Sequence, residues 1–220
     1  IEKIGENLEW YQFVPYTDRV DYVCSMNSNH AWVCAVEALL ATGEETKLQI
    51  PERAEYIRVL FAELNRISSH MVGVGAMTMD MGAFTPFIHA LGQREHINDI
   101  FEKTCGARLT YNYMCVGGVN ADLYPGAEDE IRHFLDGLEK AMKDFNRLIT
   151  GNNIFKGRLA NVATVSAEDA ISYGLVGPNL RASGVDFDLR RDKLHGVYDR
   201  FKFDVPVGKL QVGDEIRLPG

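Results

Sequence analysis

The chain has no Cys-x-x-Cys pair. Its four cysteines, Cys24, Cys34, Cys105 and Cys115, stand apart, which leaves a zinc ribbon or a cluster-binding loop without ligands. Isolated thiols in a chain without a signal peptide fit a reducing cytosol, where they pack as small hydrophobes. Metal-ligand spacing is also missing from the six histidines, His30, His70, His89, His96, His133 and His195. No Ser-His-Asp triad can be read from spacing. No glycine-rich loop follows a strand, so this chain is not expected to hold NADH. Positive charge is short as well. A formal net charge of −8 argues against the clustered cationic face that nucleic-acid phosphates require. It leaves room for an acidic surface that docks on other proteins.

Long charge-free hydrophobic runs are scarce too. Met71 to Gly92 comes nearest, with Asp80 as its one full charge. An unpaired carboxylate at mid-bilayer is costly, glycines recur, and Pro86 interrupts the run. Two buried helical segments meeting at a turn are expected there, rather than a membrane span. Repeats and low-complexity text are absent. The opening, Ile1-Glu-Lys-Ile-Gly-Glu-Asn7, has neither signal nor transit character and no initiator methionine. It reads as a cut edge.

What is present is an ordinary globular composition, 46% apolar and 25% charged over 220 residues, enough for a sizeable core. A first helix is expected from about Asn29 to Ala41, its apolar face made by Ala31, Ala35, Val36, Leu39 and Leu40, with Gly43 as its stop. After Pro51, the residues Ile57, Leu60, Phe61, Leu64, Ile67 and Met71 recur every three or four positions, the period of a long amphipathic helix. A further helix follows Pro86, carrying Ile88, Leu91, Ile97, Ile100 and Phe101, and closes at Gly106. The clearest stripe, Ile131, Phe134, Leu135, Leu138, Met142, Phe145, Leu148 and Ile149, runs through a helix from Ala127 to Thr150 that ends at Gly151, and this helix is expected to lie beside the one over 52–73. Leu159 to Val165 and Phe201 to Val207 read as strands. Ser166-Ala-Glu-Asp169 is a capping box opening a short helix that ends at Gly174. The fold class is mainly α: a helical core over residues 1–158, then a small mixed α/β region over 159–220 continuous with it.

Two pieces of polar text stand out. Tyr16-Thr-Asp-Arg-Val-Asp-Tyr22 places one cation, two carboxylates and two phenols within seven residues. A phenol is a proton donor at neutral pH and can hydrogen-bond a carbonyl oxygen in an apolar pocket. The same text would also serve as a surface turn capping a helix. Asp80, inside Thr78-Met-Asp-Met-Gly-Ala-Phe-Thr-Pro-Phe87, must be paired, hydrogen-bonded or protonated if buried. It reads equally as a helix-end aspartate.

Taken together, several motifs resemble one family. They are Pro15-Tyr-Thr-Asp-Arg-Val-Asp-Tyr22, Ile57-Arg-Val-Leu-Phe-Ala-Glu-Leu-Asn-Arg-Ile-Ser-Ser-His70, Asp80-Met-Gly-Ala-Phe-Thr-Pro-Phe87, Gly106-Ala-Arg-Leu-Thr-Tyr-Asn-Tyr113, Gly117-Gly118-Val119, Leu180-Arg-Ala-Ser-Gly184, Asp188-Leu-Arg190 and Phe203-Asp-Val-Pro206. In order, from residue 1 to about 208, they look like the quinone-site D subunit of bacterial complex I, the forty-nine-kilodalton subunit of mitochondria. The resemblance implies a hydrogenase-large-subunit-like helical bundle in the peripheral arm, on the cytoplasmic side of the bacterial inner membrane. Membrane contact would come only through the complex. A partner subunit would hold the terminal iron–sulfur cluster, and others would hold NAD and the remaining clusters. Quinone would be the substrate, its reduction coupled to ion translocation, and this chain would bind no metal or nucleotide.

Carried across residue by residue, the resemblance puts the quinone tyrosine at Tyr22 and the histidine-orienting carboxylate at Asp80, near the Tyr22 end of the structure. It puts an aromatic of the headgroup pocket at Phe87 and a cation near the cluster at Arg19. The family's quinone histidine would lie upstream of residue 1. Thr110 stands where many members have histidine, and Cys115 where many have arginine, so cluster tuning is expected to differ. The text after Val207 leaves the pattern, and the chain reads as a fragment inactive alone. Two alternatives stand beside this reading. A non-catalytic helical scaffold of the same family is one. A nickel–iron hydrogenase large subunit is the other, but it needs two Cys-x-x-Cys pairs, and the first would align with Asp21-Tyr-Val-Cys24, where one thiolate is missing.

Overall fold

The computed structural model describes residues 1–42 and 48–208. In chain order the elements are α1 (Glu2–Gly5), α2 (Trp10–Thr17), α3 (Ser25–Ala41), α4 (Glu52–Asp80), α5 (Phe84–Cys105), β1 (Met114–Cys115), β2 (Gly118–Val119), α6 (Ala127–Leu148), α7 (Asn153–Leu159), α8 (Ala167–Ser172), α9 (Gly177–Ala182) and α10 (Leu189–Asp192), then a 3-10 turn at Tyr198–Arg200. The protein is mainly α. The two strands form one antiparallel hairpin, pairing Met114 with Val119 and Cys115 with Gly118. The chain divides into two compact units, residues 1–145 and 146–220.

In the first unit, α4 and α5 are the main packed pair, joined by a tight turn over Met81–Ala83. Burial along α4 recurs at Ala54, Ile57, Phe61, Leu64, Ser68, Met71, Gly75 and Thr78, the helical stripe that the spacing predicts. The helix does not stop near Met71. It continues to Asp80 because Gly75 lets α5 come close: a Cβ there would lie 2.9 Å from the Phe87 ring and 3.3 Å from Phe87 Cα. Met71 to Gly92 is therefore two helices meeting at a turn, and no described helix is long and apolar enough to cross a membrane. The core gathers Phe61, Phe101, Tyr111 and Tyr113 around Met26, Ile97, Ile100 and Met114. The ring centres of Phe61 and Phe101 lie 5.3 Å apart with their planes 29° from parallel, and Tyr111 meets Phe101 edge-on at 4.8 Å. Helix α6 enters this core through Ile131 and Phe134, and its polar contact is with α5, where Lys103 grips Glu130 at 2.7 Å.

Helix α3 presents the face opposite to the expected one. Leu39 is 72% exposed, and Ala31 and Ala35 face solvent too. Met26, Asn29, His30, Val33 and Glu37 are buried instead. The apolar count misleads here because Glu37 turns inward to an arginine and Asn29 to a backbone carbonyl. Gly43, the expected stop, lies outside the described residues.

In the second unit, Ser166 caps α8 as its box predicts: its Oγ accepts the Asp169 amide at 3.0 Å. The strand expected over 159–165 is not formed. Leu159 ends α7, and Asn161 and Ala163 take left-handed backbone, φ 61° and 53°, which no strand tolerates. Nor is there a strand over 201–207 among the described residues. Phe203 there stacks under the Arg190 guanidinium, 5.0 Å from ring centre, and meets Tyr198 edge-on. Asp188, almost fully buried, binds Arg181 at 3.1 Å and Arg190 at 2.9 Å. The hydrogen bonds from Arg190 hold its carboxyl down at about 2, against the opposing push of burial.

Candidate functional site

The segment between α2 and α3 carries Arg19 and Tyr22. Helix α2 starts at a reciprocal capping pair, Glu9 with Gln12, and closes where the Thr17 hydroxyl donates to the Val14 carbonyl at 2.7 Å. The chain then turns: Arg19 N–H donates to Tyr16 O and Val20 N–H to Thr17 O. Asp21 caps the following turn by accepting the Cys24 amide at 3.2 Å. Asn65 of α4 fastens the far side of this turn in both directions. Its Nδ2 donates to the Val23 carbonyl at 3.2 Å and its Oδ1 accepts the Met26 amide at 3.0 Å. Asn27 adds a bond to the Ala62 carbonyl at 3.1 Å. The turn is thus tied on both flanks, while Tyr22 is 60% exposed at its tip beside exposed Val20.

A phenol held by a fixed backbone yet open to its surroundings can present its hydroxyl to something outside this chain. Arg19 leans back along α2, its Nη1 donating to the Pro15 carbonyl at 2.5 Å, and its side chain is more than half exposed. It stands 3.9 Å from Asp18.

Asp18 is the residue of this segment that sequence reading passed over. Its side chain is fully buried, and both carboxylate oxygens accept the Asn112 amide, at 3.1 and 3.4 Å. Burial pushes its carboxyl up to about 6, and the nearby Asn29 side chain, the Asn112 amide and the charge of Arg19 only partly oppose that. The signal was present: Asp18 follows Thr17 directly, and both lie four or fewer residues from apolar Val14 on a short helix.

Asp80 and Phe87 sit on either side of the α4–α5 turn. Asp80 is the last residue of α4 and is exposed. Phe87 is half-buried against Gly75. Asp80 follows Asn65 by about fifteen residues, or about 22 Å along the α4 axis. The structure therefore groups the four expected residues as two pairs on different elements: Arg19 with Tyr22, and Asp80 with Phe87.

A second buried polar group escaped sequence reading. Arg58 has no exposed side-chain surface. Its Nη2 donates to Glu37 Oε1 at 2.7 Å and to the Cys115 carbonyl at 2.7 Å. Its Nη1 donates to Glu37 Oε2 at 3.1 Å and to Glu55 at 2.9 Å, and its Nε to the Gly118 carbonyl at 3.0 Å. Every N–H of the guanidinium has an acceptor, the condition for burying a cation. Glu37 also accepts the Gly117 amide at 2.8 Å. Burial would push the guanidinium down, but the hydrogen bonds and charges of Glu37 and Glu55 more than offset it. The hairpin of β1 and β2 is thus fixed to α3 and α4. The available signal was position: Arg58 lies one turn before Phe61 and Ala62 on the buried stripe.

The sequence matches the family described as respiratory-chain NADH dehydrogenase, 49 Kd subunit, over residues 80–216. Among similar curated proteins, a D subunit of the NADH-quinone oxidoreductase of Anaeromyxobacter sp. (strain K) is 55% identical over 209 residues, 95% of this chain and 54% of that protein. A D subunit of the same enzyme from Sorangium cellulosum (strain So ce56) is 53% identical over 97% of this chain and 53% of its own length. The D subunit from Clostridium beijerinckii is 46% identical over 95% of this chain and 55% of its own. The chain spans about half the length of the curated relatives it matches.

Proposed function

Because the chain belongs to the family of the 49 Kd subunit of respiratory-chain NADH dehydrogenase, we propose that it supplies one wall of a quinone-reduction site, with the Tyr22 hydroxyl as a donor to the quinone headgroup. The observation that carries this is the state of Tyr22: a phenol 60% exposed on a turn that Asn65 and Asp21 fasten on both flanks. Quinone reduction needs hydrogen-bond donors at carbonyl oxygens that grow more basic as electrons arrive. A fixed phenol meets that need without reorganising.

The other three residues take supporting roles in this reading. Phe87, half-buried and held by the α4–α5 crossing, offers an aromatic wall for the ring. Asp80, exposed at the end of α4, orients a histidine contributed from outside this sequence. Arg19 places a cation beside the cluster of the iron–sulfur subunit, its main partner. NAD and the remaining clusters belong to further subunits, and the assembly sits on the cytoplasmic face of the bacterial inner membrane, coupling electron transfer to ion translocation. The test is Tyr22→Phe in the assembled, full-length complex. Quinone reduction should fall while electron transfer from NADH to an artificial acceptor that bypasses quinone stays normal. Unchanged quinone turnover and affinity would refute the assignment.

A further inference from the structure

We propose that Asp18 is a positioning residue of the Tyr22 turn: its ionised carboxylate latches the 107–113 loop to the segment carrying Arg19 and Tyr22, and protonation opens that latch. The role in positioning rests on the reading of Tyr22 as quinone-facing; the latch itself does not.

Three observations carry it. The first is the bond pattern. One backbone amide, that of Asn112, is accepted by both Asp18 oxygens, an arrangement that suits a carboxylate, because a protonated acid turns one of its oxygens into a donor. The second is the conformation being held. Thr110 and Asn112 both take left-handed backbone, φ 51° and 44°. Threonine, branched at Cβ, resists that region strongly, so the segment draws on outside holds: Asn120 grips the Asn112 and Tyr113 carbonyls at 2.6 and 2.9 Å, and Asp18 grips the Asn112 amide.

The third is a vacant acceptor. Asn29 donates its Nδ2 to Thr17 Oγ1 at 2.9 Å and to the Val14 carbonyl at 3.4 Å. Its Oδ1 is buried and accepts nothing. The Asn29 amide also acts on the Asp18 carboxyl. Asn29 Oδ1 is thus an unmatched acceptor on a side chain that already acts on Asp18, and an acid O–H that reached it would meet a need the ionised form leaves open. Buried acceptors are costly to leave unmet, so the site has a use for that proton.

The groups acting on Asp18 come from each neighbouring element. Arg19 on its own turn and the amides of Asn29 from α3 and Asn112 from the loop favour the charge. Cys105 at the end of α5 interacts with it electrostatically, and burial pushes that thiol up, keeping it neutral. Desolvation outweighs the groups that favour the charge and brings Asp18 to about 6, inside the range where the latch would change state.

Hydrogen exchange on the assembled complex reads the latch directly. After correction for intrinsic rates, the Asn112 amide should lose protection as pH falls from about 7.5 to about 5. In Asp18→Asn it should exchange about tenfold faster at the higher pH, with no further loss on acidification, as befits loss of a bond to a charged acceptor. Should that variant fail to assemble, the pH dependence of Asn112 in the parent decides alone: constant protection across the range would overturn the latch. Quinone kinetics read the positioning. In Asp18→Asn at the higher pH, KM for quinone should rise to the parent's low-pH value, with transfer to the artificial acceptor unchanged. A loosened loop with unchanged KM and kcat would overturn the positioning role. If Tyr22→Phe left quinone reduction intact, the quinone reading would fall while the Asn112 result stood.

Discussion

The Arg58 guanidinium clasps the Glu37 carboxylate in two hydrogen bonds, 2.7 and 3.1 Å, and the same guanidinium holds the carbonyls of Cys115 and Gly118. A helix, a second helix and a hairpin meet on one buried cation. Such a group contributes little as a net gain over an apolar filling, but removing one partner leaves the others charged and dry.

Arg58→Ala should therefore destabilise the protein by about 3–5 kcal/mol, as should Glu37→Ala. The double variant should cost less than the two single effects combined, because the surviving partner no longer carries an unmatched charge. Urea unfolding of the full-length subunit, run as a double-mutant cycle, measures this. Additive losses would mean that the pair is not coupled.

Gly73 and Gly75 sit two residues apart on α4 and should respond oppositely to alanine. A Cβ at Gly73 meets nothing within 4 Å, whereas one at Gly75 meets the Phe87 ring at 2.9 Å. Gly73→Ala should stabilise by about 0.5–1 kcal/mol through helix propensity and a less flexible unfolded chain. Gly75→Ala should destabilise by about 1–3 kcal/mol through overpacking. Thermal melts of the two variants, side by side, check the sign of each.

The extent to which this fold could be read from sequence followed a physical line. Helix α4 was legible because its buried positions are mostly apolar and spaced at the helical period. Helix α3 was read with the wrong face inward, since hydrophobicity cannot foresee that Glu37 will meet Arg58 from another helix. The two strands were misread for a related reason: a short β-branched run becomes a strand only with a partner, and Asn161 and Ala163 adopt backbone that forbids one. Of the proposed site, Arg19, Tyr22, Asp80 and Phe87 rest on motif text, and the structure adds that the first three are exposed and Phe87 is half-buried. The buried charges Asp18 and Arg58 carry only a positional signal, their places beside buried apolar residues, because the donors and acceptors that make their burial tolerable come from 94 and 60 residues away.

Asp18 should make stability depend on pH in a defined direction. Its folded pKa is raised from 3.8 to about 6, so the folded state binds this proton more tightly than the unfolded state does. The stabilisation is complete below about 4 and is lost as pH rises through about 6. Asp18→Asn, which cannot ionise, should gain on the parent by about 2 kcal/mol between pH 4.5 and 7.5. Urea midpoints of parent and variant at those two pH values test this; a constant difference would show that Asp18 does not titrate in this range.

Tyr22→Phe separates the hydroxyl from the ring. The residue is exposed, and its hydroxyl makes no hydrogen bond among the described residues, so losing the oxygen should leave folding within about 0.5 kcal/mol of the parent. The ring, Val20 and the Asn65 clasp all remain. What disappears, on the proposed reading, is a donor at the quinone carbonyl. A neutral hydrogen bond contributes roughly 0.5–1.5 kcal/mol net, which sets a loss of about two- to tenfold in kcat/KM as the floor. The loss grows if the bond strengthens as negative charge develops on the quinone oxygen. A fall in kcat larger than the change in KM would place the bond chiefly in the transition state, whereas a rise in KM alone would make Tyr22 only a binding contact. Steady-state quinone reduction by the assembled complex, with the melting temperature of the subunit measured alongside, distinguishes these outcomes from a folding defect.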